Sequence, residues 1–93
     1  DAVARLAAAA VARFGRIDVW INNAGVGAIG PFERIPAADH ARVVDVNYKG
    51  VIFGSAEALR LFKAQGRGVL VNIGSVESRI PLAYHASYAG TKH

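Results

Sequence analysis

The sequence predicts an α/β fold, a parallel sheet with helices on both faces, from three observations. Two short runs, "IDVWIN" (17–22) and "VLVNI" (69–73), are rich in β-branched and aromatic residues and lack the polar alternation of a strand with one wet face. Segments of helical apolar period stand before, between and after them. Finally, 53% hydrophobic residues against 19% charged supply enough apolar surface to cover a sheet on both sides. Strands alternating with helices imply parallel pairing through right-handed crossovers.

Each element follows from local chemistry. Val3, Leu6, Ala7, Ala10, Val11 and Phe14 recur at helical spacing, with Asp1 in the first turn and Arg13 in the last, matching the helix dipole. Gly15 then ends the helix. "IDVWIN" reads as a strand buried on both faces. "NAGVGAIGPFERIP" (23–36), with its glycines and prolines, reads as an ordered loop. From about Asp39 to Gln65 helical period resumes, with Val44, Tyr48, Val51, Leu59 and Phe62 along one side and Val43, Val46 and Phe53 along another. A helix apolar on several sides must be buried on several sides, against the sheet and against a neighbour such as a second subunit. "GRG" (66–68) stops it, "VLVNI" forms the second buried strand, and a last helix is expected to begin near Tyr84.

Composition excludes several classes of function. At 93 residues one hydrophobic core is the most this chain can build alone. It opens on Asp1, contains no methionine and stops at His93 just after a helical stretch, so the expectation is a fragment of a larger fold. The formal charge of +4 arises from 11 Lys and Arg against 7 Asp and Glu, scattered rather than clustered, so no nucleic-acid partner is expected. Zero cysteines exclude disulfides and thiolate metal sites and leave the redox compartment undetermined. His40, His85 and His93 lack metal-ligand spacing and read as surface or helix-end residues; no metal is expected. No apolar run approaches the ~18 residues of a spanning helix, so neither a membrane span nor a membrane partner is expected and a cytoplasmic location is. Residues 1–16 share the Ala- and Arg-rich character of a transit peptide, but their direct run into a strand favours an ordinary amphipathic helix.

In open α/β sheets, ligands bind outside the carboxyl ends of the strands. The first strand ends in "NNAG" (22–25) and the second in "NIGS" (72–75), so both polar clusters are expected on one crevice. Taken alone, "NNAG" fits a tight turn equally well; its functional reading is that small side chains let a flat ring or ribose approach the main chain. Tyr88 and Lys92 stand at i and i+4 and share a helix face. An ammonium there favours the ionised phenol, so such a tyrosine can give or take a proton; a plain helix-surface contact is the other reading. Ser75, at a strand end, can donate to the oxygen that the tyrosine serves. It is not read as a nucleophile, because no triad is evident and "GSV" is not a G-x-S-x-G elbow. Asn47 and Gly50 are poor helix formers inside the long helix, which implies either a local distortion that opens a main-chain group to the crevice or a packing role.

Together, "NNAG", Asn47 in "DVNYKG", Ser75 in "NIGSV" and Tyr88 with Lys92 in "YAGTK" resemble the central part of the short-chain dehydrogenases/reductases, over nearly the whole chain. The resemblance implies a Rossmann-like, doubly wound sheet of which residues 1–93 are the central part. It further implies hydride transfer between NAD or NADP and an alcohol/ketone pair. Tyr88 would be the catalytic acid/base. Lys92 would assist its ionisation and bind the nicotinamide ribose, Ser75 would hold the substrate oxygen, and Asn47 would anchor a water linking Lys92 to solvent. Asn23, Ala24 and Gly25 would lie against the cofactor. Similar proteins form homodimers or homotetramers through the helices equivalent to 39–65 and to the one starting near Tyr84.

The sequence also departs from that pattern. Gly74 stands where a second serine is common, Thr91 replaces a frequent serine, and Glu77 and Ser78 replace a small pair ending in glycine. Gly90, inside the last helix, costs up to ~1 kcal/mol relative to alanine. The glycine-rich phosphate turn and the C-terminal substrate region of the family are not among these residues. Two other readings therefore stay open: a non-catalytic cofactor-binding or oligomerisation fragment, and an epimerase or dehydratase of the extended branch, against which "NNAG" argues.

Overall fold

A computed structural model describes residues 1–93 as four α-helices and two strands in two compact units. The helices are α1 (Ala2–Phe14), α2 (Ala37–Val44), α3 (Gly50–Gln65) and α4 (Ala86–Lys92); the strands are β1 (Val19–Asn22) and β2 (Val69–Asn72). No helix is long and apolar enough to cross a membrane.

The first unit comprises Asp1–Asn22 and Val51–Asn72. Asp1 lies one residue outside α1 rather than in its first turn, as the N-cap whose carboxylate accepts from the Ala4 N–H at 2.7 Å. Gly15 and Gly66 take left-handed φ values of 86° and 84°, and their N–H groups close the last turns of α1 and α3 on Val11 and Phe62. β1 and β2 pair in parallel, Val19 beside Val69 through Asn22 beside Asn72, as the alternating pattern requires. Gln65 fastens the entrance to β1: its carboxamide accepts from the Ile17 N–H at 3.1 Å and donates to the Ile17 carbonyl at 2.8 Å. Ala7, Ala58, Phe62 and Gly54 are buried in this unit. Glycine at 54 is a steric necessity, because a Cβ there would collide with the Asn22 carboxamide and the Trp20 indole nitrogen.

Burial on both strand faces does not hold for this chain. Val19, Ile21 and Val69 are each more than half exposed, since a two-stranded sheet covers little of its own surface. Likewise Ile52, Phe53 and Leu59 on α3 remain about half exposed, whereas Phe62 is buried.

The second unit comprises Asn23–Gly50 and Ile73–His93. Its loop from Asn23 includes a short 3-10 turn, Phe32–Arg34, before α2. The helix expected from Asp39 begins two residues earlier, at Ala37, and is interrupted by a π-helical turn, Asp45–Lys49, where distortion was expected around Asn47. A second 3-10 turn, Val76–Ser78, leads toward α4, which begins at Ala86 rather than near Tyr84. Tyr84 itself has φ 63°, a left-handed conformation that no helical residue takes. Its carbonyl accepts from the Gly30 N–H at 3.0 Å. α4 packs against α2, the π turn and the Val76–Ser78 turn, burying Val43, Asn47, Glu77 and Ala89.

Candidate active site

Asn22 and Asn72, the last residues of the two strands, are neighbours by register and hydrogen-bonded at 2.8 Å. Asn22 also donates to Ser55 Oγ at 3.1 Å and accepts from Trp20 Nε1 at 2.9 Å. The first asparagine of "NNAG" thus serves the first unit's structure. Every residue proposed from the sequence for catalysis or cofactor contact, Asn23, Ala24, Gly25, Asn47, Ser75, Tyr88 and Lys92, lies in the second unit.

Asn47 organises that unit. Only 2% exposed, its Oδ1 accepts from the Val26 N–H at 2.8 Å, and its Nδ2 donates to the Val26 carbonyl at 2.9 Å and to Thr91 Oγ1 at 3.1 Å. Thr91 in turn donates to the Tyr88 carbonyl at 2.8 Å. The π turn brings this side chain inward to hold the loop after Gly25 and the helix carrying Tyr88. Both amide protons are spent inside the protein, so the side chain has none left to give a water. Of the two readings of Asn47, the structure shows the distortion and a tethering role together.

On α4 the i, i+4 spacing does bring Tyr88 and Lys92 together. The Lys92 ammonium lies 5.8 Å from the centre of the Tyr88 ring and donates to the Ile73 carbonyl at 3.1 Å. It also borders Gly25: a Cβ on that glycine would stand 3.8 Å from Lys92 Nζ and 3.7 Å from Asn47 Oδ1. A side chain at 25 would thus stand in van der Waals contact with the ammonium, which glycine leaves uncovered on that side. A Cβ on Gly27 would lie 3.8 Å from the Tyr88 ring. Asn23 and Ala24 are exposed on the same loop. Gly27 also borders a hollow of about 320 Å³ walled by Ile29, Arg34, Ile35 and Arg42, which none of the proposed catalytic residues lines.

Ser75, half-buried, caps the Val76–Ser78 turn. Its Oγ accepts from the Glu77 N–H at 3.2 Å, and its own N–H donates to Ser78 Oγ at 3.0 Å. With the oxygen engaged as an acceptor, the hydroxyl proton is free to be donated elsewhere. Glu77 and Ser78, noticed in the sequence only as departures, are thus the residues that orient Ser75. His85 is the helix-end residue expected, at the N-cap of α4 without a side-chain capping bond, and its ring also meets the buried Glu77 carboxylate at 3.2 Å. Val26 and Thr91 gave no warning of their roles, because a main-chain partner and a hydroxyl on a helix have no distinctive spacing.

Comparison with known proteins identifies the family and the fold. A family model described as short chain dehydrogenase matches residues 1–93. Levodione reductase of Leifsonia aquatica is 40% identical over 82 residues, covering 87% of this chain and 31% of that protein. 3beta-Hydroxysteroid dehydrogenase 1 of Eggerthella lenta is 39% identical over 85 residues, covering 90% and 33%. Among solved structures, a gluconate 5-dehydrogenase from Burkholderia cenocepacia in complex with NADP and tartrate superposes with a TM-score of 0.89 at 33% identity, over 97% of this chain and 35% of that one. A metagenomic short-chain oxidoreductase in complex with NADP gives 0.89 at 34% identity, over 99% and 42%. The chain spans about a third of the length of the curated relatives it matches.

Proposed function

The chain belongs to the short-chain dehydrogenase family, and from that premise we propose that it carries the proton-handling part of an NAD(P)-dependent oxidoreductase acting on an alcohol or a ketone. Its fold is the central part of a Rossmann-like parallel α/β domain, matched to solved members at a TM-score of 0.89. The NADP bound in two of those structures supports a nicotinamide dinucleotide as the cofactor here. The lack of a side chain at Gly25 beside the Lys92 ammonium supports close approach of a hydroxylated group such as a ribose to that main chain. Asn23, Ala24, Gly25 and Lys92 would hold the cofactor, with Tyr88 beside it. When bound, a nicotinamide supplies or accepts the hydride at the substrate carbon.

The chain's own residues manage the oxygen. In reduction the Tyr88 phenol gives its proton to the carbonyl oxygen and becomes the phenolate, and in oxidation the phenolate takes the alcohol proton. Lys92 places its positive charge 5.8 Å from the Tyr88 ring centre, where it stabilises the anion formed while that proton is in transit. Ser75, whose oxygen is already held by the Glu77 N–H, donates its hydroxyl proton to the substrate oxygen. Asn47 keeps the Val26 main chain and Thr91 in place. Because its side-chain protons are committed, any water that links Lys92 to solvent would be held by a main-chain group of the π turn.

One observation carries this reading: the same ammonium lies by the Tyr88 ring, on the Ile73 carbonyl and beside Gly25. Tyr88→Phe in the intact protein is expected to lower turnover about 10²–10⁴-fold, the usual worth of a positioned acid/base, while dinucleotide binding persists. Lys92→Ala is expected to impair both. Nicotinamide absorbance with a panel of ketones and alcohols measures the first, and cofactor fluorescence titration the second; a near-normal rate for Tyr88→Phe ends the proposal. The half-exposed Ile52, Phe53 and Leu59 of α3 support assembly into a homodimer or homotetramer.

A further inference from the structure

Glu77 is a carboxylate at 5% exposure that the reaction just described does not use. A buried carboxylate is strongly unfavourable unless it is paired, and its partner here is a single group. His85 Nδ1 lies 3.2 Å from both carboxylate oxygens; it hydrogen-bonds Oε2, and Oε1 has no hydrogen bond at all. An ionised carboxylate only accepts, so in that form of the pair His85 Nδ1 is the donor.

The two residues belong to the two segments that bear the chemistry. Glu77 sits in the turn that Ser75 caps, and its N–H holds the Ser75 hydroxyl oxygen at 3.2 Å. His85 is the N-cap of α4, less than one turn before Tyr88. Between them the chain runs through residues 79–84, where Ile80, Leu82 and Tyr84 are about half exposed or more, and that excursion has little packing of its own. Its C-terminal end is fastened by the Gly30 N–H on the Tyr84 carbonyl, and its two ends are joined by Glu77 and His85. A small residue at 77 would give Ser75 the same main-chain donor. The glutamate adds the tie to α4.

We propose that the Glu77–His85 pair is a positioning device that sets the Ser75 hydroxyl relative to the Tyr88 phenol, so that both reach one substrate oxygen. The proposal rests on the dehydrogenase reading above. Neither residue touches the substrate; both act through Ser75 and Tyr88.

The test is a double-mutant cycle in the intact protein, with Tyr88→Phe run alongside. His85→Ala and Glu77→Leu are each expected to lower kcat about tenfold, because small misplacements of reacting groups are costly, with cofactor affinity within about twofold of wild type. The double variant should be no slower than the slower single. His85→Asn, whose side-chain amide nitrogen stands where Nδ1 was, should recover most of the rate, a recovery that a general loss of stability does not produce. Unchanged kcat in His85→Ala and Glu77→Leu beside an inactive Tyr88→Phe overturns the pair alone, as do losses that multiply in the double variant. An active Tyr88→Phe overturns the reading it rests on as well. His85 lies at an accessible helix end, so His85→Ala with its Asn rescue decides the matter if Glu77→Leu does not fold.

Discussion

The two units of the chain bury different kinds of residue. In the first, Ala7, Ala58 and Phe62 are enclosed and the strands are joined by a main-chain ladder; in the second, Asn47 and Glu77 lie buried beside Val43 and Ala89. Each unit also uses one carboxamide to grip a single residue's N–H and C=O, Gln65 on Ile17 and Asn47 on Val26. Gln65 does so at a partly exposed strand entrance, whereas Asn47 is 2% exposed and extends the grip to Thr91. Apolar burial tolerates approximate fit, while a buried polar group must be matched atom for atom. The unit that holds the proposed site residues is the one built on polar contacts.

Substitution at the two carboxamides sharpens this contrast most. Asn47→Leu removes both partners of the Val26 main chain and the donor to Thr91, and is expected to cost about 3 kcal/mol, at the upper end for an orphaned buried group. Activity should fall with it, because the loop beside Lys92 loses its tether. Gln65→Leu leaves main-chain groups that water can reach, and is expected to cost about 1 kcal/mol with turnover preserved. Urea melts of both variants, with rates measured on the folded fraction, check the pair; equal losses would show that burial does not set the difference. Between these in size is Gly54→Ala, which drives a methyl into the Asn22 carboxamide and the Trp20 indole nitrogen. Overpacking of that kind is expected to cost about 2 kcal/mol, and the same melts read it. Its kcat should stay near wild type, since the clash lies wholly in the first unit.

The same contrast governs what could be read from the sequence. The helices, both strands and their parallel pairing were legible, because apolar period and a glycine after the last turn act locally. The Tyr88–Lys92 proximity followed from helical spacing, and the break around Asn47 from two poor helix formers. What escaped was tertiary. Strand burial depends on how many neighbours a sheet has, so Val19, Ile21 and Val69 are exposed where enclosure was expected. Tyr84 turns back into the left-handed region at the point where a helix start was expected. The Asn47–Thr91 and Glu77–His85 contacts join residues 44 and 8 positions apart, through side chains that no periodicity singles out.

Thr91 offers the finest test of the comparison. Its hydroxyl accepts from Asn47 Nδ2 at 3.1 Å and donates to the Tyr88 carbonyl at 2.8 Å, the link between the buried amide and the helix that carries Tyr88. Thr91→Val keeps the shape of the side chain but leaves one Asn47 proton without a partner, while the Tyr88 carbonyl retains its place in α4. The expected cost is about 1 kcal/mol, the net worth of one such hydrogen bond, with a severalfold fall in kcat if Asn47 aligns Tyr88 through this hydroxyl. Thr91→Ser restores the oxygen without the methyl and is expected to restore the rate, even where some packing stability is lost. A Val variant as fast as wild type would show that Asn47 holds only the loop, and that the polar core of the second unit stops short of the tyrosine.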